Sequence, residues 1–270
     1  FNVLKTMEEA GADICKIAVM PKEKVDVKTL INASKKANKE LNAPIITMSM
    51  GELGAVTRIC TRMIGSVVTF GAGVNASAPG QPPCEMVRFL LKASESGKID
   101  CNVALIGFMG TGKTTISNAL SRITGFKEVD VDQYIVEKEG MAIKDIFAEN
   151  GEQYFRDLET QALRDLQEEK ETIISCGGGA VLRDENVEIL NTGSVIVQLK
   201  ATPETVFERV KDHTHRPILN NDMSVRHMNQ REPRYNSVAD IQVNVDKGDR
   251  VETCYYILKE LEKTGHFSVE

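Results

Sequence analysis

Residues 107–115, Gly-Phe-Met-Gly-Thr-Gly-Lys-Thr-Thr, follow the apolar run Val103-Ala104-Leu105-Ile106 and precede a helical pattern from Ile116 to Ile123. A strand, a glycine loop and a helix in that order form the GxxxxGK[ST] cradle for nucleotide phosphates. Gly107, Gly110 and Gly112 let the backbone turn its N–H groups inward, because glycine reaches positive φ without a Cβ clash. The amides of the motif, Thr111 and Thr115 included, face the phosphates together with the positive end of the following helix. Lys113 then reaches the β and γ oxygens, and the Thr114 hydroxyl ligates Mg²⁺. The motif predicts a chain that handles ATP or GTP.

At 270 residues the chain exceeds one typical domain. The boundary is expected at the small polar stretch Lys92-Ala93-Ser94-Glu95-Ser96-Gly97-Lys98, giving segments 1–92 and 101–270 around a linker at 93–100. Upstream, strands at Ile14–Met20, Pro44–Met50 and Ser66–Phe70 alternate with helices near 26–41, 52–64 and 82–93. Downstream, strands are expected near 102–106, 127–129, 172–176, 194–199 and 240–245, with a helix over 250–263. Short apolar strands alternating with helices mean parallel sheet, and a doubly wound α/β sheet fits the downstream segment. Phe155, Leu158, Ala162 and Leu166 form an ordinary core stripe.

Charge is unevenly shared. Residues 1–100 carry 13 Lys+Arg against 10 Asp+Glu, and residues 101–270 carry 20 against 29, so +3 and −9 sum to −6. An acidic nucleotide-binding half offers little to a nucleic-acid backbone, so a small-molecule substrate is expected. No apolar stretch reaches membrane-spanning length, and no basic-then-apolar leader opens the chain. Six scattered cysteines, without a CxxC pair or a nearby histidine, argue for reduced thiols in a cytoplasm and against a zinc site. The oligomeric state is left open.

Downstream of Thr114 there is neither the DxxG nor the NKxD of a GTPase, and four features point to a small-molecule kinase. Asp130 and Asp132 end a short strand, and carboxylates at i and i+2 of an extended chain share a side. One would hold Mg²⁺ and the other accept a hydroxyl proton. Arg156 and Glu159 are three apart on a helix, and arginine is suited to gripping a carboxylate. Ser175-Cys176-Gly177-Gly178-Gly179-Ala180 lets a ligand lie against bare backbone. His215-Arg216-Pro217-Ile218-Leu219 and Arg231-Glu232-Pro233-Arg234-Tyr235 supply arginines from mobile segments, which screen phosphoryl transfer from water.

Taken together, GFMGTGKTT, the DVD strand end, FRDLE at 155–159, CGGG, HRPIL and REPRY make residues 101–270 resemble shikimate kinase. The resemblance implies a P-loop kinase sheet with a lid, using ATP and Mg²⁺ to phosphorylate the 3-hydroxyl of shikimate. It also implies roles. Asp132 receives the hydroxyl proton, and Arg156, Arg231 and the Gly178-Gly179 backbone hold shikimate. Lys113 and Arg216 stabilise the transferring phosphoryl group, Thr114 and Asp130 organise Mg²⁺, and Arg209 stacks on adenine. Two departures stand out: Arg234 occupies the place of a leucine, and the stretch between Arg216 and Arg231 is short. A gluconate kinase-like enzyme and an inactive ATP-binding regulatory module are the alternatives.

Upstream, GADICKIAVMP at 11–21, IITMSM at 45–50, VTR at 56–58, TFG at 69–71 and SAPGQ at 77–81 resemble type I 3-dehydroquinate dehydratase. That resemblance implies the last three strands of a (β/α)₈ barrel, Lys16 as the Schiff-base lysine, and Arg58, Ser77 and Gln81 as substrate ligands. A lysine flanked by apolar strand residues suits imine chemistry. Residues 1–100 hold no histidine to assist it. The expectation is a piece of a bifunctional protein, with dehydratase activity only in a longer chain.

Overall fold

Parallel pairing begins with Cys15–Val19 (β1), which runs beside Ile45–Ser49 (β2) from Cys15↔Ile45 to Val19↔Ser49. The computed structural model describes residues 1–210, 221–247 and 249–270. It comprises two units, Phe1–Gly97 with Val269–Glu270, and Lys98–Ser268. No described helix is long and apolar enough to cross a membrane.

In the first unit, helix α1 (Asn2–Glu9) and helix α2 (Lys24–Glu40) pack on the two strands. The side chains of Glu23 and Asp26 cap the start of α2 reciprocally, satisfying amides that the first turn leaves orphaned. Val27, Leu30, Ser34 and Ala37 form its buried face. Leu4, Cys15, Ala37 and Ile45 share a core cluster.

Two expectations for this unit need correction. The third strand, at Ser66–Phe70, is reduced to a bridge from Ile45 to Ser66. There the Ser66 hydroxyl accepts from the Thr47 amide at 3.1 Å and donates to the Val68 carbonyl, taking the place of ladder bonds. The single helix over 52–64 is instead α3 (Gly51–Gly54), α4 (Val56–Ile59) and α5 (Thr61–Ile64). Thr57 Oγ1 donates to the Gly54 carbonyl at 2.7 Å and accepts from the Ser49 amide at 2.9 Å, tying the break to the end of β2. Helix α6 (Cys84–Ser96) follows and carries its last turn through the polar stretch near residue 95.

The second unit opens with β3 (Lys98–Ile99) and β4 (Asn102–Ile106), then helix α7 (Lys113–Thr124), β5 (Lys127–Asp130), helix α8 (Val131–Glu139) and helix α9 (Ile143–Gln167). Next come β6 (Thr172–Ser175), a 3₁₀ turn (Ala180–Leu182), helix α10 (Asp184–Gly193), β7 (Ser194–Lys200) and helix α11 (Pro203–Val210). Helix α12 (Asn221–Val238), β8 (Ile241–Asn244), helix α13 (Arg250–Lys263) and β9 (Phe267–Ser268) complete it. The strand order is β5-β6-β4-β7-β8, all parallel, with β3 and β9 paired apart as an antiparallel couple.

Every residue of β4 is buried. Full burial of Val103, Leu105 and Ile106 contributes about 1.5–3 kcal/mol for each side chain, which anchors the loop that follows. Because β5 and β6 lie to one side of β4 while β7 and β8 lie to the other, the sheet reverses its winding there. A crevice therefore opens beyond the carboxyl end of β4, where open α/β sheets bind ligands.

Helix α9 buries Phe155, Ala162 and Leu166 of its predicted stripe but not Leu158. It breaks at Gly151, and Glu159 is 0% exposed whereas Leu158 is only half-buried. A buried carboxylate is costly without a partner, and Arg156 supplies one.

Candidate active site

Gly107 sits at φ 141°, and a Cβ there would come within 2.6 Å of the Leu199 carbonyl oxygen. Only glycine lets β4 turn into the loop so close to β7. Helix α7 starts at Lys113 immediately after the loop, leaving its first-turn amides without intrahelical acceptors. Thr111 is buried, its hydroxyl donating to the Phe108 carbonyl at 2.8 Å. Lys113 Nζ donates to the Gly107 and Phe108 carbonyls at 2.8 and 3.1 Å, so the ammonium is held over the loop. Gly110 and Gly112 also have positive φ, and Thr115 is exposed beside them.

Asp130 and Asp132 share no extended segment, contrary to the i, i+2 expectation. Asp130 ends β5 and becomes the N-cap of α8, accepting from the Gln133 amide through Oδ1 at 3.2 Å. Its Oδ2 accepts from the Thr114 hydroxyl at 2.8 Å and from the Ser175 hydroxyl at 3.1 Å. Three hard oxygen donors thus gather beside the start of α7, a donor set that fits Mg²⁺. Ser175 carried no assigned role in the sequence. Its position as the last residue of a strand next to β4 is the signal that would have found it.

Asp132, in the first turn of α8, faces elsewhere. A Cβ on Gly177 would lie 3.0 Å from its Oδ1 and 2.6 Å from Glu159 Oε1. Glu159 is paired through Oε2 with Arg156, while Oε1 lacks a hydrogen-bond partner among the described residues. Burial pushes the Glu159 carboxyl above the ordinary range; Arg156 opposes that rise and Asp132 adds to it. A Cβ on Gly179 would lie 2.3 Å from Arg156 Nη1, so the glycine leaves room for the guanidinium. The glycine turn is a mould around charged groups.

Helix α12 supplies the opposite wall. Arg231 and Tyr235 are four residues apart on it, hence on one face. Tyr235 is buried and donates to the Gly178 carbonyl. Burial raises its phenol above the usual value, and the nearby Arg231 and Arg156 guanidinium groups oppose the rise. Asp132, Arg156, Gly178, Gly179 and Arg231 are thereby associated with one region. Arg209 extends from α11 to donate to the Thr111 and Val245 carbonyls at 3.2 and 2.6 Å, so its fork is engaged with backbone. Arg216, with His213 and His215, lies outside the described residues.

Arg234 has a visible task. Its Nε donates to the Val181 carbonyl at 2.7 Å and its Nη2 pairs with Asp184, tying α12 to the turn after the glycines. The contact is partly exposed, so its worth is about 1 kcal/mol. Arg234→Leu is expected to raise the KM for the acceptor about fivefold, that energy expressed at Arg231, with kcat nearly unchanged. Steady-state kinetics check this, and an unchanged KM would remove the positioning role.

In the first unit, Lys16 is exposed on β1 with its Nζ 4.6 Å from the Phe70 ring centroid. Arg58 is 1% exposed; Nη1 reaches the Phe70 carbonyl at 3.3 Å, while Nε and Nη2 have no hydrogen-bond partner among the described residues. Burial lowers its pKa. Gln81 Oε1 accepts from the Ser77 amide and hydroxyl, and Gln81 Nε2 donates to the Gly71 carbonyl at 3.0 Å. Contacts with Phe70 and Gly71 therefore link these four residues to one short loop.

Comparison with known proteins agrees with both readings. Residues 109–262 match the family model described as "Shikimate kinase", and residues 1–98 match "Type I 3-dehydroquinase". The chain is 40% identical over 164 residues to a shikimate kinase of Dehalococcoides mccartyi, covering 60% of this chain and 91% of that protein. It is 43% identical over 149 residues to one from Geobacter metallireducens, covering 54% and 82%. The solved shikimate kinase from Acinetobacter baumannii in complex with shikimate is 31% identical, with a TM-score of 0.57 over 61% of this chain and 94% of that one. Loop, acids, glycine turn and arginines stand on a sheet of matching fold, and the chain belongs to the shikimate kinase family.

Proposed function

We propose that residues 101–270 transfer the γ-phosphoryl group of ATP to the 3-hydroxyl of shikimate, with Mg²⁺ as cofactor. The observation that carries this reading is the Gly177–Gly179 turn, which packs against Asp132 and Arg156 in the strand layer next to the phosphate loop. Shikimate is a monoanion, so Arg156 and Arg231 grip its carboxylate. Asp132 accepts the hydroxyl proton. The amides of 107–115 and Lys113 hold the triphosphate, and Arg216 adds a positive charge at the transferring group. Thr114 and Asp130, joined by Ser175, would hold Mg²⁺, which when bound would offset the negative charge of the phosphates. Arg209 lies at the adenine end.

Phosphoryl transfer asks little covalent chemistry of a protein, mainly alignment and charge compensation. Coupled ADP release with shikimate, quinate and gluconate offered separately tests the assignment. Shikimate is expected to give by far the highest kcat/KM. Preference for gluconate would indicate the other kinase class, and ADP release with none of the three would indicate a binding module.

Residues 93–100 are proposed as the junction between a dehydroquinase-type segment and this kinase. None of the six cysteines is joined in a disulfide, which fits a cytoplasmic enzyme. In the first unit we assign Lys16 as the imine-forming lysine and Arg58, Ser77 and Gln81 as ligands. The buried Arg58 leaves two donor groups for an anion. With no histidine in residues 1–100, turnover of dehydroquinate by the chain of 270 residues is expected to be absent. Borohydride trapping at Lys16, accompanied by turnover, would refute this.

A further inference from the structure

We propose that Asp100, Cys101 and His266 form a binding site for a soft divalent cation of the zinc class. The local pairing makes the site. β3 and β9 run antiparallel in the register Lys98↔Ser268 and Ile99↔Phe267, and the Asp100 amide donates to the His266 carbonyl at 3.4 Å. The next step of that register sets the Asp100 side chain opposite His266, with Oδ1 3.1 Å from Nδ1. Cys101 follows directly. One ligand atom from each of the three residues lies within 4.8 Å of the others, and among the described residues no other group of histidine, cysteine or acid side chains meets this condition.

The donor types select the ion. Thiolate, imidazole and carboxylate are a zinc set, and three protein ligands leave the fourth tetrahedral position to water. Mg²⁺ and Ca²⁺ prefer oxygen alone, so they favour the Thr114–Asp130–Ser175 cluster instead. Both Asp100 and Asp240 are near enough to Cys101 to act on it electrostatically, which makes the surroundings attractive to a cation. A plain Asp100–His266 ion pair, largely exposed, would be worth little and would need no cysteine.

The place of the site indicates a structural role. Cys101 precedes the first residue of β4, whereas the phosphate loop leaves its last, so about 17 Å of strand separates the two. The ligands come from the two ends of the second unit, and a cation there closes a loop of 166 positions. Cross-links that close long loops gain most in principle. The sequence argued against zinc because no histidine lies near a cysteine along the chain. Folding brings them together.

The test uses the whole chain, stripped with chelator, desalted and titrated with Co²⁺ as a spectroscopic probe. One equivalent is expected to produce a near-ultraviolet thiolate-to-cobalt charge-transfer band that Zn²⁺ abolishes. Cys101→Ser should lack the band, and His266→Ala should weaken cobalt binding at least about tenfold. Cys84→Ser, which alters an exposed thiol in the other unit, should keep it. Zn²⁺ should raise the unfolding temperature of the wild type but not of Cys101→Ser, whose unchanged kinase activity shows that it folds. No band, a band that survives Cys101→Ser, or one that vanishes with Cys84→Ser overturns the proposal.

Discussion

Lys113→Met is expected to lower kcat at least about a hundredfold while leaving the fold intact. The ammonium is fixed over the phosphate loop, held at 2.8 and 3.1 Å from two loop carbonyls. Methionine keeps much of the side-chain length and removes only the charge and its donors. Loss of one preorganised electrostatic contact costs ~3–4 kcal/mol of barrier, which is two to three decades of rate. The carbonyls of Gly107 and Phe108 belong to a loop anchored by buried β4, so the unfolding temperature should move by only a few degrees. Single-turnover rates at saturating ATP check the prediction. A loss below tenfold would mean that Lys113 binds without stabilising the transition state.

Asp132→Asn is expected to have an effect of the same size for a different reason. The amide occupies nearly the same volume beside Gly177 but cannot accept the hydroxyl proton, and general-base assistance contributes about 10²–10⁴-fold. Stability should hold or rise, because the Asp132 charge works against the ionised form of the buried Glu159 carboxyl. Shikimate affinity, resting mainly on Arg156 and Arg231, should change little by calorimetry. If turnover fell less than tenfold, the proton would have to leave by another route. A fall in affinity that matched the fall in turnover would instead make Asp132 a binding residue.

Most of the second unit was legible because its buried strands announce themselves. Val103–Ile106 and Val195–Val197 are continuous apolar runs, as expected of strands covered on both faces. The glycine loop then fixes which strand is central. Less legible was the direction of individual side chains. Asp130 and Asp132 read as a same-side pair only if the strand continues past Asp130, which instead caps a helix. Glu159 displaced Leu158 from the inner face because Arg156 lies alongside to share its burial. The reading of REPRY as a mobile segment missed that residues 221–238 form one helix, with Pro233 inside it. In the first unit, Ser66 and Thr57 replaced regular backbone bonds with side-chain bonds, which no periodicity reveals. Contacts between residues far apart in sequence, such as Ser175 with Asp130 or Cys101 with His266, require the fold itself.

Co-crystallisation with Mg²⁺, a non-hydrolysable ATP analogue and shikimate probes the phosphoryl-transfer assignment at the atoms concerned. The expected structure has the terminal phosphate on loop 107–115, the shikimate carboxylate between Arg156 and Arg231, and the 3-hydroxyl beside Asp132. Its oxygen should then lie about 3–3.5 Å from the terminal phosphorus. Shikimate bound with its ring hydroxyls turned away from the nucleotide, or a crevice that takes up the analogue but no shikimate, would contradict it.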